Sequence, residues 1–155
     1  MLKKSSGFTL IELLVVIGIL GILLAIVLIA INPAAQFAQA NNTARTNDVN
    51  TILNAVHQYS ADHRGLLPPD MPVAGTTEQI SDTGANICAV LVPDYVSLFP
   101  VDPDTNNGVA IADCAQVGGY VTNYSITRDA SGRVTVSAPG AEPVRGVTPV
   151  IQVIR

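Results

Sequence analysis

The feature that most constrains this chain is an apolar segment near its N-terminus, GFTLIELLVVIGILGILLAIVLIAI, which covers residues 7–31. Its only charge is on Glu12. As an α-helix, residues 8–31 would extend about 36 Å, at about 1.5 Å per residue. A hydrocarbon core is about 30 Å thick. The segment therefore predicts a membrane-spanning helix, and the residues that follow it must fold outside the bilayer.

Charge is distributed unevenly around this segment. The only two lysines, Lys3 and Lys4, precede it, and the whole chain has a formal net charge of −4. Without these two lysines the remaining residues carry −6. Lysines before a span and an acidic chain after it predict a cytoplasmic N-terminus and a head outside. No basic cluster is available to neutralise phosphates, which argues against nucleic acid as the main partner.

Two ordinary interpretations of the apolar segment leave something unexplained. A cleaved secretory signal has an apolar region of about 7–15 residues. Ala38 and Ala40 resemble such a cleavage site, but the apolar run before them is too long. A simple signal anchor explains the length but not Glu12. A carboxylate within a span costs about 2.5–3.5 kcal/mol near the helix centre and less towards an end, so Glu12 is expected to have a role.

The third interpretation accounts for the carboxylate. Residues 3–12, KKSSGFTLIE, resemble the leader junction of type IV prepilins and type II secretion pseudopilins. In that family a prepilin peptidase cuts after the glycine, and the new N-terminal residue is N-methylated. The resemblance implies cleavage after Gly7, methylation of Phe8 and an assembly role for Glu12. The Glu12 carboxylate would pair with the Phe8 amine of a neighbouring subunit and help to set its register.

The same resemblance implies partners and a location. The subunit would lie in the lipid of the cytoplasmic membrane as a single-pass protein, and would meet the prepilin peptidase and an inner-membrane assembly platform. It would then enter a homo-oligomeric helical filament that is extracellular or periplasmic. A type IV pilus and a pseudopilus for secretion or DNA uptake both fit. A membrane-tethered extracytoplasmic binding module is the alternative from another class, and it needs neither Glu12 nor the Gly7–Phe8 junction.

Beyond Pro33 the apolar residues become periodic. Five of them follow the spacing of one stripe on an amphipathic helix: Val49, Ile52, Leu53, Val56 and Tyr59. Gly65 is a plausible helix stop. The expected organisation is a leader (1–7), a transmembrane and filament-core helix (8–33), the amphipathic half of the same helix (34–64) and a globular head (65–155).

Strands are predicted late in the chain. Residues 66–99 are rich in Pro, Gly, Asp and Thr and indicate an irregular connection. GYVTNYSITR alternates apolar and polar residues, and RVTVSA follows it across a turn at residues 129–132. VIQVIR at the C-terminus is a third candidate strand. The fold class is therefore α+β and pilin-like: a long N-terminal helix packed on a small antiparallel sheet of about three strands.

Cys88 and Cys114 are the only cysteines. An even pair in an exported domain predicts one disulfide. A head of about 90 residues is small for an independent core, so such a bridge would be valuable. The family usually places its disulfide near the C-terminus, whereas here 41 residues follow Cys114. The resemblance is therefore weak beyond about residue 65.

One stretch of the head, DPDTNNGVAIAD at residues 102–113, has the oxygen-rich pattern of a calcium loop. Asp102, Asp104, Asn106 and Asp113 match four ligand positions of an EF-hand. However, Asn107 stands where that loop requires Gly, and Asp replaces the closing Glu. An Asx-rich turn without metal is the favoured interpretation, because no helices are predicted on either side. No other cofactor is predicted.

The sequence offers no catalytic constellation. His57 and His63 are six residues apart, so they lie on different faces of a helix and cannot form an i, i+4 metal pair. Both are predicted to lie on polar helix surface. Neither a G-x-S-x-G elbow, a P-loop nor a cysteine nucleophile motif is present. The chain is predicted not to be an enzyme.

Overall fold

The computed structural model describes residues 7–155. The predictions for the leader residues 1–6, including Lys3 and Lys4, lie outside that range. The chain divides into two compact units between Phe37 and Ala38. The elements in chain order are helix α1 (Leu10–Ile31), helix α2 (Pro33–Asp62), strand β1 (Thr77–Ser81), helix α3 (Cys88–Leu91), a 3-10 turn (Asn106–Gly108) and strands β2 (Val121–Arg128), β3 (Val134–Ala138) and β4 (Ile151–Ile154). The second unit, residues 38–155, is wider than the predicted head because it includes most of helix α2, and it is called the head from here on.

The helical region is two helices rather than the single helix predicted for residues 8–64. Asn32 ends α1 in the left-handed conformation, with φ 46° and ψ 79°. Pro33 follows as the first residue of α2, where its missing N–H costs no hydrogen bond. The Asn32 carbonyl accepts a 3.1 Å hydrogen bond from the Ala35 N–H. Asn32 is therefore both the end of one helix and the start of the next.

The sheet has four antiparallel strands in the order β1-β2-β3-β4. The alternation predicted for β2 is confirmed, because Thr122, Tyr124 and Ile126 are all buried. The turn to β3 is closed by a 3.1 Å hydrogen bond from the Gly132 N–H to the Asp129 carbonyl. Gly132 has φ +87°, a conformation that glycine adopts without steric cost.

The extra strand is β1, in a region that the sequence indicated was irregular. Thr77, Glu78 and Gln79 are polar and largely exposed, and only the last two residues of the strand are buried. Its pairing with β2 shifts register between Gln79 and Ser81. A short, polar, bulged strand at a sheet edge is a common way to discourage pairing with other chains, and such a strand has little hydrophobic periodicity to detect.

The core of the head lies between α2 and the sheet. Val49, Ile52, Leu53 and Val56 of the predicted stripe have no solvent exposure. They share one cluster with side chains from β1, β2 and β3, with Tyr59 packed at its margin. The α+β, pilin-like fold class is confirmed, with four strands in place of about three.

Candidate functional site

The first turn of α1 is built around Thr9 and Glu12. The Thr9 backbone N–H and the Thr9 hydroxyl each donate to Glu12 Oε2 at 2.8 Å. The Glu12 N–H donates in return to Thr9 Oγ1 at 3.3 Å. This is a capping box, in which two otherwise unpaired N–H groups at the helix start are satisfied reciprocally. The carboxylate is thereby held at the N-terminal end of the helix.

The capping box leaves one carboxylate oxygen available. Both hydrogen bonds from Thr9 reach Oε2, and Oε1 accepts none from residues 7–155. Phe8 lies one residue before the cap, and 88% of it is exposed. Gly7 and Phe8 directly precede the N-cap Thr9, and Glu12 lies in the first turn of α1.

The surface of α1 is apolar on all sides. None of its 22 residues is buried by any other part of the described chain. A Cβ built on Gly18 or Gly21 would meet no atom within 4 Å, so these two glycines present bare backbone. Over residues 7–155, α1 is the one helix that is long and apolar enough to cross a membrane. It fits the membrane anchor of a prepilin-type protein.

A second polar site lies in the head, around a fully buried arginine. The side chain of Arg45 on α2 has no solvent exposure. Its Nε donates to Asp102 Oδ2 at 2.7 Å, and its Nη2 donates to Asp102 Oδ1 at 3.0 Å. Asp104 accepts from Nη2 at 2.6 Å, and Glu142 accepts from Nη1 at 2.9 Å. Such a bidentate, charge-assisted arrangement is among the stronger hydrogen-bonding geometries.

Neighbouring amides complete this site. The Asn42 side chain accepts from Arg45 Nη1 at 3.1 Å and from the Glu142 backbone N–H at 2.9 Å. It also donates to the Glu142 carbonyl at 2.7 Å. The hydrogen bond to Asp102 raises the pKa of the Arg45 guanidinium above its ordinary value. Hydrogen bonds from Asn41 and then Arg45 lower the pKa of Glu142.

The sequence reasoning missed this site, although one signal was present. The buried stripe on α2 continues at intervals of four and three residues towards the N-terminus, through Ala38, Asn42, Arg45, Val49, Ile52 and Val56. Arg45 and Asn42 therefore occupy positions where the periodicity requires a buried side chain. A charge at such a position predicts a buried partner. The identity of that partner, more than fifty residues away in the sequence, was not predictable.

The candidate calcium ligands serve other purposes. Asp102 and Asp104 bind Arg45. Asp113 accepts a 2.9 Å hydrogen bond from the backbone N–H two residues further on, and Asn106 lies in the 3-10 turn. No group of three acidic, histidine or cysteine side chains that could hold a metal occurs in the part of the chain that the structure describes. This stretch is a turn that supplies two carboxylates to the buried arginine.

The predicted disulfide is present. Cys88, the first residue of α3, is bonded to Cys114, and their Cα atoms are 5.7 Å apart. Cys88 is fully buried in the core, whereas Cys114 packs at its edge. The bridge ties α3 to the loop that precedes β2. A cross-link of this kind restricts the unfolded chain and so favours the folded head.

Comparisons with known proteins agree with the N-terminal geometry. Residues 2–28 match a family model described as the prokaryotic N-terminal methylation motif. The chain is also 36% identical over 121 residues to the fimbrial protein EcpC of Eikenella corrodens, covering 76% of this chain and 69% of that protein. No solved structure matches the chain. On the methylation motif, the unburied apolar helix and this similarity, the protein belongs to the type IV prepilin and pseudopilin family.

Proposed function

We propose that the chain is the structural subunit of a type IV pilus or a related filament. The observation that carries this proposal is α1, whose 22 residues are apolar on every side and buried by nothing else in the described chain. Such a surface requires either lipid or other apolar helices around it. A homo-oligomeric helical filament supplies the second environment from copies of the same helix.

Processing would prepare the start of α1 for this packing. Cleavage after Gly7 by a prepilin peptidase leaves Phe8 with a free amine, which is then N-methylated and stays positively charged. The amine requires a negative partner once it enters apolar surroundings. Glu12 lies in the first turn of α1, and its Oε1 accepts no hydrogen bond from residues 7–155. The Phe8 amine of an incoming subunit would pair with it and fix the register.

The proposed topology follows from the anchor. Before assembly, residues 8–33 span the cytoplasmic membrane with the N-terminus inside and residues 65–155 outside. Residues 34–64 form the amphipathic half of the helical region. An inner-membrane assembly platform would transfer the subunit from lipid to the growing filament. None of these steps uses a catalytic group of this chain.

The mature N-terminus is the direct test. Mass spectrometry of filaments sheared from cells should give a chain that begins with N-methylated Phe8. Gly7→Ser should leave an uncut, membrane-resident precursor, because the peptidase of this family requires the glycine before the scissile bond. Assembled or membrane-bound wild-type protein that still begins at Met1 would overturn the proposal. Normal processing of Gly7→Ser would overturn it too.

The type of filament needs a second experiment. The similarity to a fimbrial protein supports a pilus over a secretion or DNA-uptake pseudopilus. Electron microscopy of cells that express the chain as the sole subunit should show filaments outside the cell. Filaments confined to the periplasm would instead indicate a pseudopilus. A processed but always monomeric protein would favour a membrane-tethered binding module.

A further inference from the structure

A groove of about 360 Å³ opens in the head between helix α2 and the segment at residues 98–110. One wall comes from Ala44, Asp48 and Thr51, which lie on one face of α2 because they are spaced by four and three residues. None of the lining comes from α1, and the filament proposal assigns the groove no role. The opposite wall is apolar, and its side chains are those of Leu98, Pro100, Val101, Pro103 and Ala110.

Asp48 alone is charged among the described residues that line the groove. Its Oδ2 accepts a 2.6 Å hydrogen bond from the Tyr124 hydroxyl. Its Oδ1 accepts none from residues 7–155, and this atom is not shielded from solvent. The carboxylate therefore has one accessible oxygen left for a ligand in the groove.

The negative charge of Asp48 has no positive partner in the part of the chain that the structure describes, since Asp48 forms no ion pair there. Arg45 lies three residues earlier on α2, but its guanidinium is bonded to Asp102, Asp104 and Glu142. Burial raises the pKa of Asp48, as expected for a carboxylate that loses water without gaining a cation. A cation in the groove would supply the missing compensation.

The other polar side chain in the lining also offers only an acceptor. The Thr51 hydroxyl donates its hydrogen to the Asn47 carbonyl at 2.9 Å, so its oxygen keeps lone pairs that can accept. The remaining lining side chains are apolar, and the two prolines also lack a backbone N–H. The side chains of the groove therefore present acceptors and no free donor. Such a lining matches a group that only donates hydrogen bonds.

The apolar wall is held in place by backbone hydrogen bonds. Phe99 and Ile111 exchange two of them, each 2.8 Å long. The Gly108 N–H donates to the Thr105 carbonyl, also at 2.8 Å. A site that is already formed loses little entropy when it binds a ligand. The volume of the groove lies near the lower end of the range of about 300–1,000 Å³ for small-molecule sites, so the bound group is small.

We propose that this groove binds a primary ammonium group carried on a short apolar stem. An ammonium has three donors and no acceptor, which matches Asp48 Oδ1 and Thr51 Oγ1. A guanidinium fits less well, because its planar fork pairs best with both oxygens of a carboxylate, and Oδ2 is already bonded to Tyr124. The apolar wall accommodates the stem. A lysine side chain and a free alkylamine share this chemistry.

Amide chemical shifts of the full chain in detergent micelles at pH 7 would test the site. Nα-acetyl-lysine methylamide represents a lysine side chain, and butylamine represents an alkylamine. Nα-acetyl-norleucine methylamide and butanol are neutral controls with similar stems, and Nα-acetyl-arginine methylamide tests the guanidinium. At least one of the two ammonium compounds should bind and shift amides within residues 44–51 and 98–110, and its identity distinguishes the source.

Four outcomes of this titration would overturn the proposal. They are failure of both ammonium compounds to bind, equal binding of the neutral controls, tighter binding of the guanidinium, and shifts confined to other parts of the head. Each is measured on the unaltered chain, so none depends on the folding of a variant.

Matched aspartate variants separate the site from general charge effects. Asp48→Asn should weaken ammonium binding about tenfold or more, because it removes the charge-assisted contact but keeps an oxygen that can accept from Tyr124. Asp62→Asn makes the same charge change at an exposed residue of the same helix, outside the lining, and should leave the affinity unchanged. Equal affinity in the wild-type chain and Asp48→Asn, or equal weakening in both variants, would contradict the site.

Ala44→Leu tests the space rather than the charge. It places a larger apolar side chain in the α2 wall and leaves Asp48 unaltered, so the shifts caused by the ammonium should be lost. Amides elsewhere in the head provide the control for folding. Ammonium binding that is unchanged in a folded Ala44→Leu chain would place the ligand outside the groove and overturn the assignment.

Discussion

The two units of this chain differ in what they expose to their surroundings and what they bury. Helix α1 exposes apolar side chains all around its surface, whereas the head buries the full positive charge of Arg45. Each arrangement is unfavourable unless something compensates it. In the head, Asp102, Asp104 and Glu142 compensate the arginine from within the same chain. For α1, nothing in the described chain does so.

This difference indicates where each unit obtains its stability. The head is complete, since its core and its buried charge are both satisfied internally. The apolar surface of α1 is not covered by the described chain, so the anchor depends on lipid or on other copies of the chain. Substitutions in α1 should therefore affect assembly more than folding of the head. Substitutions around Arg45 should affect folding of the head first.

The largest effect is expected from Glu12→Ala, which tests the proposed function. Membrane insertion should be unchanged or better, since a charge is removed from the span, and cleavage after Gly7 should continue. Filament yield relative to processed subunit should fall at least about tenfold, because the Phe8 amine loses its partner. Glu12→Gln should be intermediate. Sheared filaments quantified against total processed chain give the measurement.

Thr9→Val is the matched control for Glu12→Ala. It removes the hydroxyl from the capping box but keeps the carboxylate. Near-normal filament yield is expected, which would separate charge pairing from helix capping. Normal filaments from Glu12→Ala as the sole subunit would show that the carboxylate is not an assembly contact.

Arg45→Met should produce the largest loss of stability in the head. It replaces the guanidinium side chain with an unbranched apolar one. The carboxylate of Asp102, which is itself buried, is then left without its partner. Loss of one member of a buried ion pair costs about 3–5 kcal/mol. The free energy of unfolding of the full chain in detergent can be followed by circular dichroism. Membrane insertion should not change.

Two further variants sharpen that result. Arg45→Met combined with Asp102→Asn removes both charges and should recover part of the loss, as a double-mutant cycle would show. Arg133→Gln disrupts the exposed pair with Asp129 and should change stability far less, since exposed pairs contribute little. Equal losses from Arg45→Met and Arg133→Gln would contradict the importance of burial.

Loss of the disulfide should destabilise the head by about 3–4 kcal/mol in the loop-entropy model. The two cysteines are 26 residues apart. The variant with both Cys88→Ser and Cys114→Ser tests this without leaving a reactive thiol, and leader cleavage should be unaffected. A thiol assay should find no free cysteine in the exported wild-type protein. Two reactive thiols there would exclude the bridge.

The smallest effect concerns Asp48, which accepts a 2.6 Å hydrogen bond from the Tyr124 hydroxyl. Burial raises the pKa of Asp48 above its ordinary value of 3.8. A raised pKa contributes stability that is present below the unfolded-state pKa and is lost as the pH rises through the folded-state pKa. Asp48→Asn does not titrate, so its stability relative to wild type should increase from pH 3 to pH 7.

The gain from Asp48→Asn at neutral pH should remain under about 1 kcal/mol, because Asp48 is only half-buried and water screens its charge. Denaturant unfolding at both pH values measures it. A difference between the two proteins that shrinks as the pH rises would show that the sign is wrong.

The parts of the fold that the sequence predicted are those with strong local patterns. The apolar run gave α1, the stripe from Val49 to Val56 gave the buried face of α2, and alternation gave β2. Strand β1 has no such pattern because it is polar and lies at an edge. Asn32 ends the helix in a left-handed conformation, and Pro33 directly after it disfavours the helical conformation at Asn32. The interruption therefore had a local signal that the prediction of one continuous helix overlooked.

The two polar sites, the Thr9–Glu12 capping box and the Arg45 site, also differ in whether a local sequence pattern predicts them. Thr9 and Glu12 are three residues apart, and a capping box depends only on that spacing. The Arg45 site depends on pairings that the tertiary fold creates, and only its position on the buried stripe could have been recognised.

The distances along the sequence at the buried arginine also have a consequence for the order of folding. Its three carboxylate partners lie 57, 59 and 97 residues after it. Synthesis proceeds from the N-terminus, so Arg45 emerges early and its last partner, Glu142, emerges near the end. Until then the guanidinium cannot be enclosed without an energetic penalty. The complete set of partners for Arg45 therefore becomes available only when nearly the whole chain has been made.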